Sequence, residues 1–135
     1  MNNNKRVKLT AYISVQDEMI HQVSRFFGVA LSKRFAGATI GTADGYWAED
    51  GAEFKSEYEG NILCERVVVI DLSVNPDREV EALDLLRILG RQAIDKFGVA
   101  AEEMHIEVSV TRAYHTNLRG DGWEPAAHRY SRFTT

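Results

Sequence analysis

The polar and apolar positions of this chain fall into segments of two kinds. Val7, Leu9, Ala11, Ile13 and Val15 alternate with Lys8, Thr10, Tyr12 and Ser14, the period-two pattern of a strand with one buried face. Behind Asp17, a candidate helix cap, the period lengthens. Met19, Ile20, Val23, Phe26, Phe27, Ala30 and Leu31 recur at steps of three and four, predicting an amphipathic helix that ends near Ser32 or Phe35. A weaker strand opens at Gly37–Ile40 and runs through Gly41 and Ala43 toward Trp47, with Asp44-Gly45 as a candidate turn or bulge. Residues 48–60 form an acidic, glycine-bearing loop or hairpin tip. Ile62–Val74 is apolar on both faces, which suits the middle of a sheet.

Asn75-Pro76 then makes a helix start, with Asn as cap and Pro at the first helical position. Val80, Leu83, Leu86, Ala93, Ile94 and Phe97 carry that helix to Gly98, a good C-terminal stop. Gly90 inside it costs about 1 kcal/mol against Ala, which predicts close packing there. Met104, Ile106, Val108 and Val110 alternate with His105, Glu107, Ser109 and Thr111 as a last core strand, and no clear period follows Arg112.

The two halves share one order: strand, helix, a basic-aromatic end (Lys33-Arg34-Phe35, then Asp95-Lys96-Phe97), glycine, strand. This duplicated unit predicts an α+β fold of the ferredoxin-like β-α-β-β-α-β kind. Two helices cover one face of a four-stranded antiparallel sheet, and right-handed crossovers give the strand order 4-1-3-2. Residues 1–112 are expected to be the domain and 113–135 a C-terminal extension.

The spacing Phe35-x-Gly37-x-Thr39, then Gly45-x-Trp47, then an acidic loop and a Val/Ile-rich strand, resembles a bacterial and phage group of uncharacterised ferredoxin-like domains. The likeness spans residues 7–110. It implies the fold and brings no activity with it, and the tail stands outside it.

Composition changes this picture little. A length of 135 residues, 44% hydrophobic and 27% charged, suits one globular domain. The N-terminus lacks the apolar core of a signal peptide, and the longest wholly apolar run, Val67–Ile70, is far too short to cross a bilayer. A cytoplasmic protein, of a cell or of a phage, is expected. The single Cys64 can form neither an internal disulfide nor a zinc site alone, and it reads as a small buried strand residue. Net charge is −4, with basic ends and an acidic middle. That distribution argues against a general nucleic-acid binder.

Candidate chemistry concentrates on the sheet face that the helices leave bare. Alternation assigns to it Lys8, Thr10, Tyr12, Ser14, Val67, Val69, Asp71, Ser73, His105, Glu107, Ser109 and Thr111. A second subunit, the tail or a ligand is expected to cover it. His105 and Glu107, two apart on one strand face, with Asp71 nearby, are the candidate acid–base groups. The tail mixes Arg112, Tyr114, His115, Arg119, Trp123, His128, Arg129, Tyr130, Arg132 and Phe133. Arginine forks grip phosphate and aromatic faces stack on rings, and the same composition serves a subunit-clasping arm.

Trp47, Arg112, His115, Arg119 and Trp123 are therefore the candidate ligand-binding residues. The acidic loop, Glu49, Asp50, Glu53, Glu57 and Glu59, does not match calcium-loop spacing, and the four histidines show no metal-ligand spacing. No metal and no cofactor are expected.

The first functional expectation is a non-enzymatic, homo-oligomeric protein, a dimer or larger, binding an anionic small molecule such as a nucleotide. A small dimeric α/β-barrel-type enzyme using Asp71, His105 and Glu107 is the alternative. A module that binds and inhibits a host protein is the third. Fold does not choose among them.

Overall fold

A computed structural model describes residues 4–125. Strand β1 (Lys5–Ser14) leads through a short 3-10 turn (Asp17–Met19) into helix α1 (Ile20–Phe35). Strand β2 (Thr39–Ala48) and strand β3 (Ile62–Val74) follow. A second 3-10 turn (Pro76–Arg78) leads into helix α2 (Glu79–Phe97), and β4 (His105–Arg112) completes the four-stranded sheet. The sheet order is β2-β3-β1-β4, antiparallel throughout, which is the predicted 4-1-3-2 order read from the other edge.

The core lies between the sheet and both helices. Val7, Leu9, Ala11 and Ile13 of β1 and Val68, Ile70, Leu72 and Val74 of β3 face Val23, Phe27, Leu31 and Phe35 of α1 and Ala82, Leu86, Leu89 and Ala93 of α2. Alternation along the central strands puts every second side chain here, and the helical period supplies the opposing stripe. Val80, expected in the α2 stripe, is exposed instead. It stands in the first turn, and Ala82, Leu86, Leu89 and Ala93 bury the next face round.

Three local expectations are corrected. Neither Asp17 nor Asn75 caps through its side chain. Each helix is entered through a 3-10 turn whose N-cap, Gln16 or Asn75, has extended backbone. Asp44-Gly45 is neither turn nor bulge, because Asp44 pairs with Arg66 and Gly45 with Glu65 in unbroken register. Cys64 is exposed. It lies where β2 and β3 run on beyond the rest of the sheet. The helix stops are as expected: Gly98 (φ 66°) ends α2, while at α1 a non-glycine, Ala36, adopts the left-handed conformation (φ 71°).

The run-on is the main departure from a minimal fold. β1 pairs with β3 up to Ser14–Val67, and the Val15 amide donates once more to the Arg66 carbonyl at 3.1 Å. Beyond that point Asp44–Ala48 and Ile62–Arg66 form a two-stranded ribbon. Its connecting loop is organised by Asp50. That carboxylate accepts hydrogen bonds from the Glu59 and Gly60 amides (both 3.0 Å) and from Lys55 Nζ (3.2 Å). The amide bonds, that of Glu59 first, hold the Asp50 carboxyl below its ordinary pKa.

After β4 the chain makes a small hairpin of β5 (Tyr114–His115) and β6 (Glu124–Pro125). The Ala113 amide donates to the Asn4 carbonyl at 2.8 Å, anchoring the hairpin beside the start of β1. His128, Arg129, Tyr130, Arg132 and Phe133 lie outside the described residues.

Candidate functional site

Register builds the uncovered face row by row. Thr10 lies between Asp71 of β3 and Glu107 of β4, and Thr39 of β2 extends that row. In the adjoining row Tyr12 lies between Val69 and His105, with Gly41 beyond. On the other side, Lys8 lies between Ser73 and Ser109. Each residue named here is on the face opposite the helices, as alternation requires.

Within these rows the polar groups are paired. The Thr10 hydroxyl donates to Asp71 Oδ1 at 2.8 Å, and Lys8 Nζ stands 3.9 Å from the same oxygen. His105 Nε2 and Glu107 Oε2 are 2.8 Å apart. The Tyr12 ring lies 6.0 Å from the His105 ring, tilted by 37°. The His105 and Glu107 side chains are 67% and 69% exposed, so the pair is open to any molecule that approaches the face. Asp71 and Glu107 stand two strand spacings apart, roughly 10 Å between backbones. A small ligand lying over Thr10 would have a carboxylate on either side of it.

The sequence-predicted acid–base residues Asp71, His105 and Glu107 thus share one surface. The predicted ligand-binding residues divide into two groups. Trp47 is in the ribbon, opposite Leu63. Its ring lies along Gly45 toward Val67. A β-carbon placed on Gly45 would stand 2.9 Å from Trp47 Cζ3 and 2.7 Å from Val67 Cγ2. Gly45 is therefore the residue that admits the indole, which covers Val67 on the otherwise bare face. Of the two ribbon aromatics, neither enters the core. Tyr46 takes the opposite ribbon face beside Cys64, and their side-chain hydrogen bond raises the Tyr46 pKa.

Arg112, His115, Arg119 and Trp123 lie at the far corner. Arg112 is opposite Lys5 at the other end of the other edge strand, and His115 pairs with Glu124 in the hairpin. The turn of that hairpin is held by Thr116 Oγ1 donating to the Gly122 carbonyl (2.6 Å). Asn117 accepts from the Arg119 and Gly120 amides, through Oδ1 and its carbonyl. Trp123 is 72% exposed. From the Trp47 row to the Arg112 row is roughly 40 Å along the strands, at about 3.3 Å per residue. One chain does not bring Trp47 to the arginines.

Two features were not anticipated. One is the ribbon's apolar surface. Tyr46 (68% exposed), Ile62 (64%), Trp47, Leu63 and the loop residue Phe54 are all exposed. The signal was in the sequence, since 43–48 and 62–66 are strand-like, but only the register shows that no third strand among the described residues accompanies them. The second is the cluster of cations where β1 begins and β3 ends, around Arg6 and Arg78. Its members, Arg6, Lys33, Arg34 and Arg78, come from three separate segments. Among the described residues, no three His, Cys, Asp or Glu side chains gather in a way that could hold a metal ion. No helix there is long and apolar enough to cross a membrane.

No family model matches the chain, including its Phe35–Thr39 and Gly45–Trp47 pattern, and no curated protein matches it either. Solved structures similar at low identity include the following two. CutA from Synechococcus elongatus is 12% identical, with 84% of this chain and 80% of that chain covered and a TM-score of 0.40. A phage SAM lyase in complex with S-methyl-5′-thioadenosine is 16% identical, with 84% and 92% covered and a TM-score of 0.46. Neither likeness bears on the chemistry of this chain.

Proposed function

We propose that this protein is a cytoplasmic homo-oligomer that binds an anionic small molecule, with the ligand held where the bare sheet face of one subunit meets another. The observation that carries the reading is the uncovered ribbon. A two-stranded ribbon has little stability alone. This one presents Tyr46, Ile62, Trp47 and Leu63 to solvent in a single chain. Burying such side chains contributes about 1.5–3 kcal/mol each, enough for a few of them to drive association. Assembly also offers a route for Trp47 of one subunit to meet Arg112, His115 and Arg119 of another. Within one subunit the sheet length separates them.

Native mass spectrometry tests the assembly, and thermal shift with AMP, ATP and inorganic phosphate tests the ligand class. S-methyl-5′-thioadenosine, which carries the adenosine ring system without phosphate, separates ring stacking from charge recognition. A chain that stays monomeric at micromolar concentration, or one that no anion stabilises, defeats the reading.

A second reading, an acid–base enzyme, is favoured by the sharing of one face by Asp71, His105 and Glu107. The Glu107 carboxylate orients the His105 ring, which suits the imidazole to move a proton. Its test is a His105→Gln variant assayed against any turnover found with the natural chain. Unchanged turnover removes His105 from the chemistry.

A further inference from the structure

We infer that the protein has a second anion-binding site, in a cleft at the end of the sheet where β1 begins and β3 ends, built to take the phosphate group of a small soluble molecule. The cleft measures about 540 Å³ and is lined by Arg6, Lys33, Arg34 and Arg78, with Ser73 and Asn75 offering a hydroxyl and an amide. Among the described residues no carboxylate lines it. None of the residues proposed above for ligand binding belongs to it.

The charge balance favours an anion. Glu81 lies behind the cleft and is shared: Arg34 Nη1 reaches its Oε2 at 2.9 Å, while Arg78 holds both carboxylate oxygens at 2.9 and 2.8 Å. Asp77, next to Arg78, adds a second negative charge to the surroundings. Among the described residues, Glu81 and Asp77 are the carboxylates set against Arg34 and Arg78, and neither lines the cleft itself. The carbonyl end of α1, which closes one side, offsets only about half a charge. A phosphate group suits a lining of guanidinium and ammonium groups with a hydroxyl and an amide beside them.

The cleft is also preorganised. Arg78 is fixed by its fork to Glu81 and by the Phe35 ring, with its guanidinium carbon 4.5 Å from the ring centroid. Arg6 is 3% exposed and donates from Nη1 to the Lys5 carbonyl at 2.9 Å. Burial lowers its pKa. Lys33 is exposed at the rim, placed to add a mobile ammonium to a bound phosphate. A volume of this size is within the range of small-molecule sites.

The test is an amide chemical-shift titration of the full chain with inorganic phosphate and, separately, with AMP. Saturable shifts centred on residues 32–36 and 73–78 are expected with both probes. Lys33→Glu, a rim change that leaves the fold intact, is expected to weaken both about tenfold, as loss of a charge-assisted contact and reversal of its charge require. Lys33→Arg is expected to keep the affinity. Absence of saturable shifts at residues 32–36 and 73–78, whatever moves at 105–119, or a Lys33→Glu titration identical to that of the natural chain at those residues would each overturn the assignment.

Discussion

The Thr10 hydroxyl donates a 2.8 Å hydrogen bond to Oδ1 of Asp71 across the two central strands, on the face that the helices leave bare. This bond fixes one carboxylate of the candidate site, since Lys8 at 3.9 Å is too distant to orient it. Replacing Thr10 by Val keeps the shape and the strand propensity but removes the donor. We expect a loss of about 0.5–1.5 kcal/mol, or roughly 2–5 °C in melting temperature. Urea unfolding and calorimetry read it directly. A variant as stable as the natural chain would mean that Asp71 is satisfied by solvent.

Glu81 links the α1 end to the start of α2. Hydrogen bonds from Arg78 and then Arg34 depress its pKa from 4.5 to about 2. A carboxyl depressed by folding stabilises the native state above its unfolded pKa, and that contribution is lost as pH falls through the folded value. The window is therefore about pH 4.5 to about pH 2. Glu81→Gln should flatten the decline of stability across that window and leave other acid effects in place. Because the group is exposed, added salt should shrink the difference. Urea midpoints measured at both ends of the window, with and without salt, check the sign.

Gly45 should tolerate no side chain. An alanine β-carbon would stand 2.7 Å from Val67 Cγ2 and 2.9 Å from the Trp47 ring, so the indole must leave Val67. We expect Gly45→Ala to cost about 1–3 kcal/mol, as overpacking does. Tryptophan emission should shift to the red, and a Trp123→Phe background isolates the Trp47 signal.

Tyr46→Ser combined with Ile62→Ser removes exposed apolar surface from the ribbon. In an isolated chain such a change is nearly neutral, because both side chains are already in water. In an assembled protein it should shift the species toward monomer while the far-ultraviolet spectrum stays the same. Analytical ultracentrifugation of the double variant beside the natural chain separates the two cases.

Much of the fold was legible because each element carries its own period. Val7–Val15 reads as a strand and Met19–Leu31 as a helix without reference to any other segment, and the strand order then follows from handedness. Cys64 and Val80 were misread for one reason. Their own segments look like ordinary strand or helix, and whether a face is covered depends on a neighbour that the segment does not encode. Placing His105 and Glu107 together needed only a strand spacing of two. Gathering Arg6, Lys33, Arg34 and Arg78 needed β1, the end of α1 and the start of α2 to converge.

The sequence by itself determined the kinds of element, their order and the faces they bury, since these rest on propensity and period along one stretch of chain. Tertiary structure alone decided how far β2 and β3 outrun β1, that Trp47 and Arg112 stand at opposite corners, and which cations share a cleft. Those are distances between segments, set by register and packing. Local pattern does not carry them.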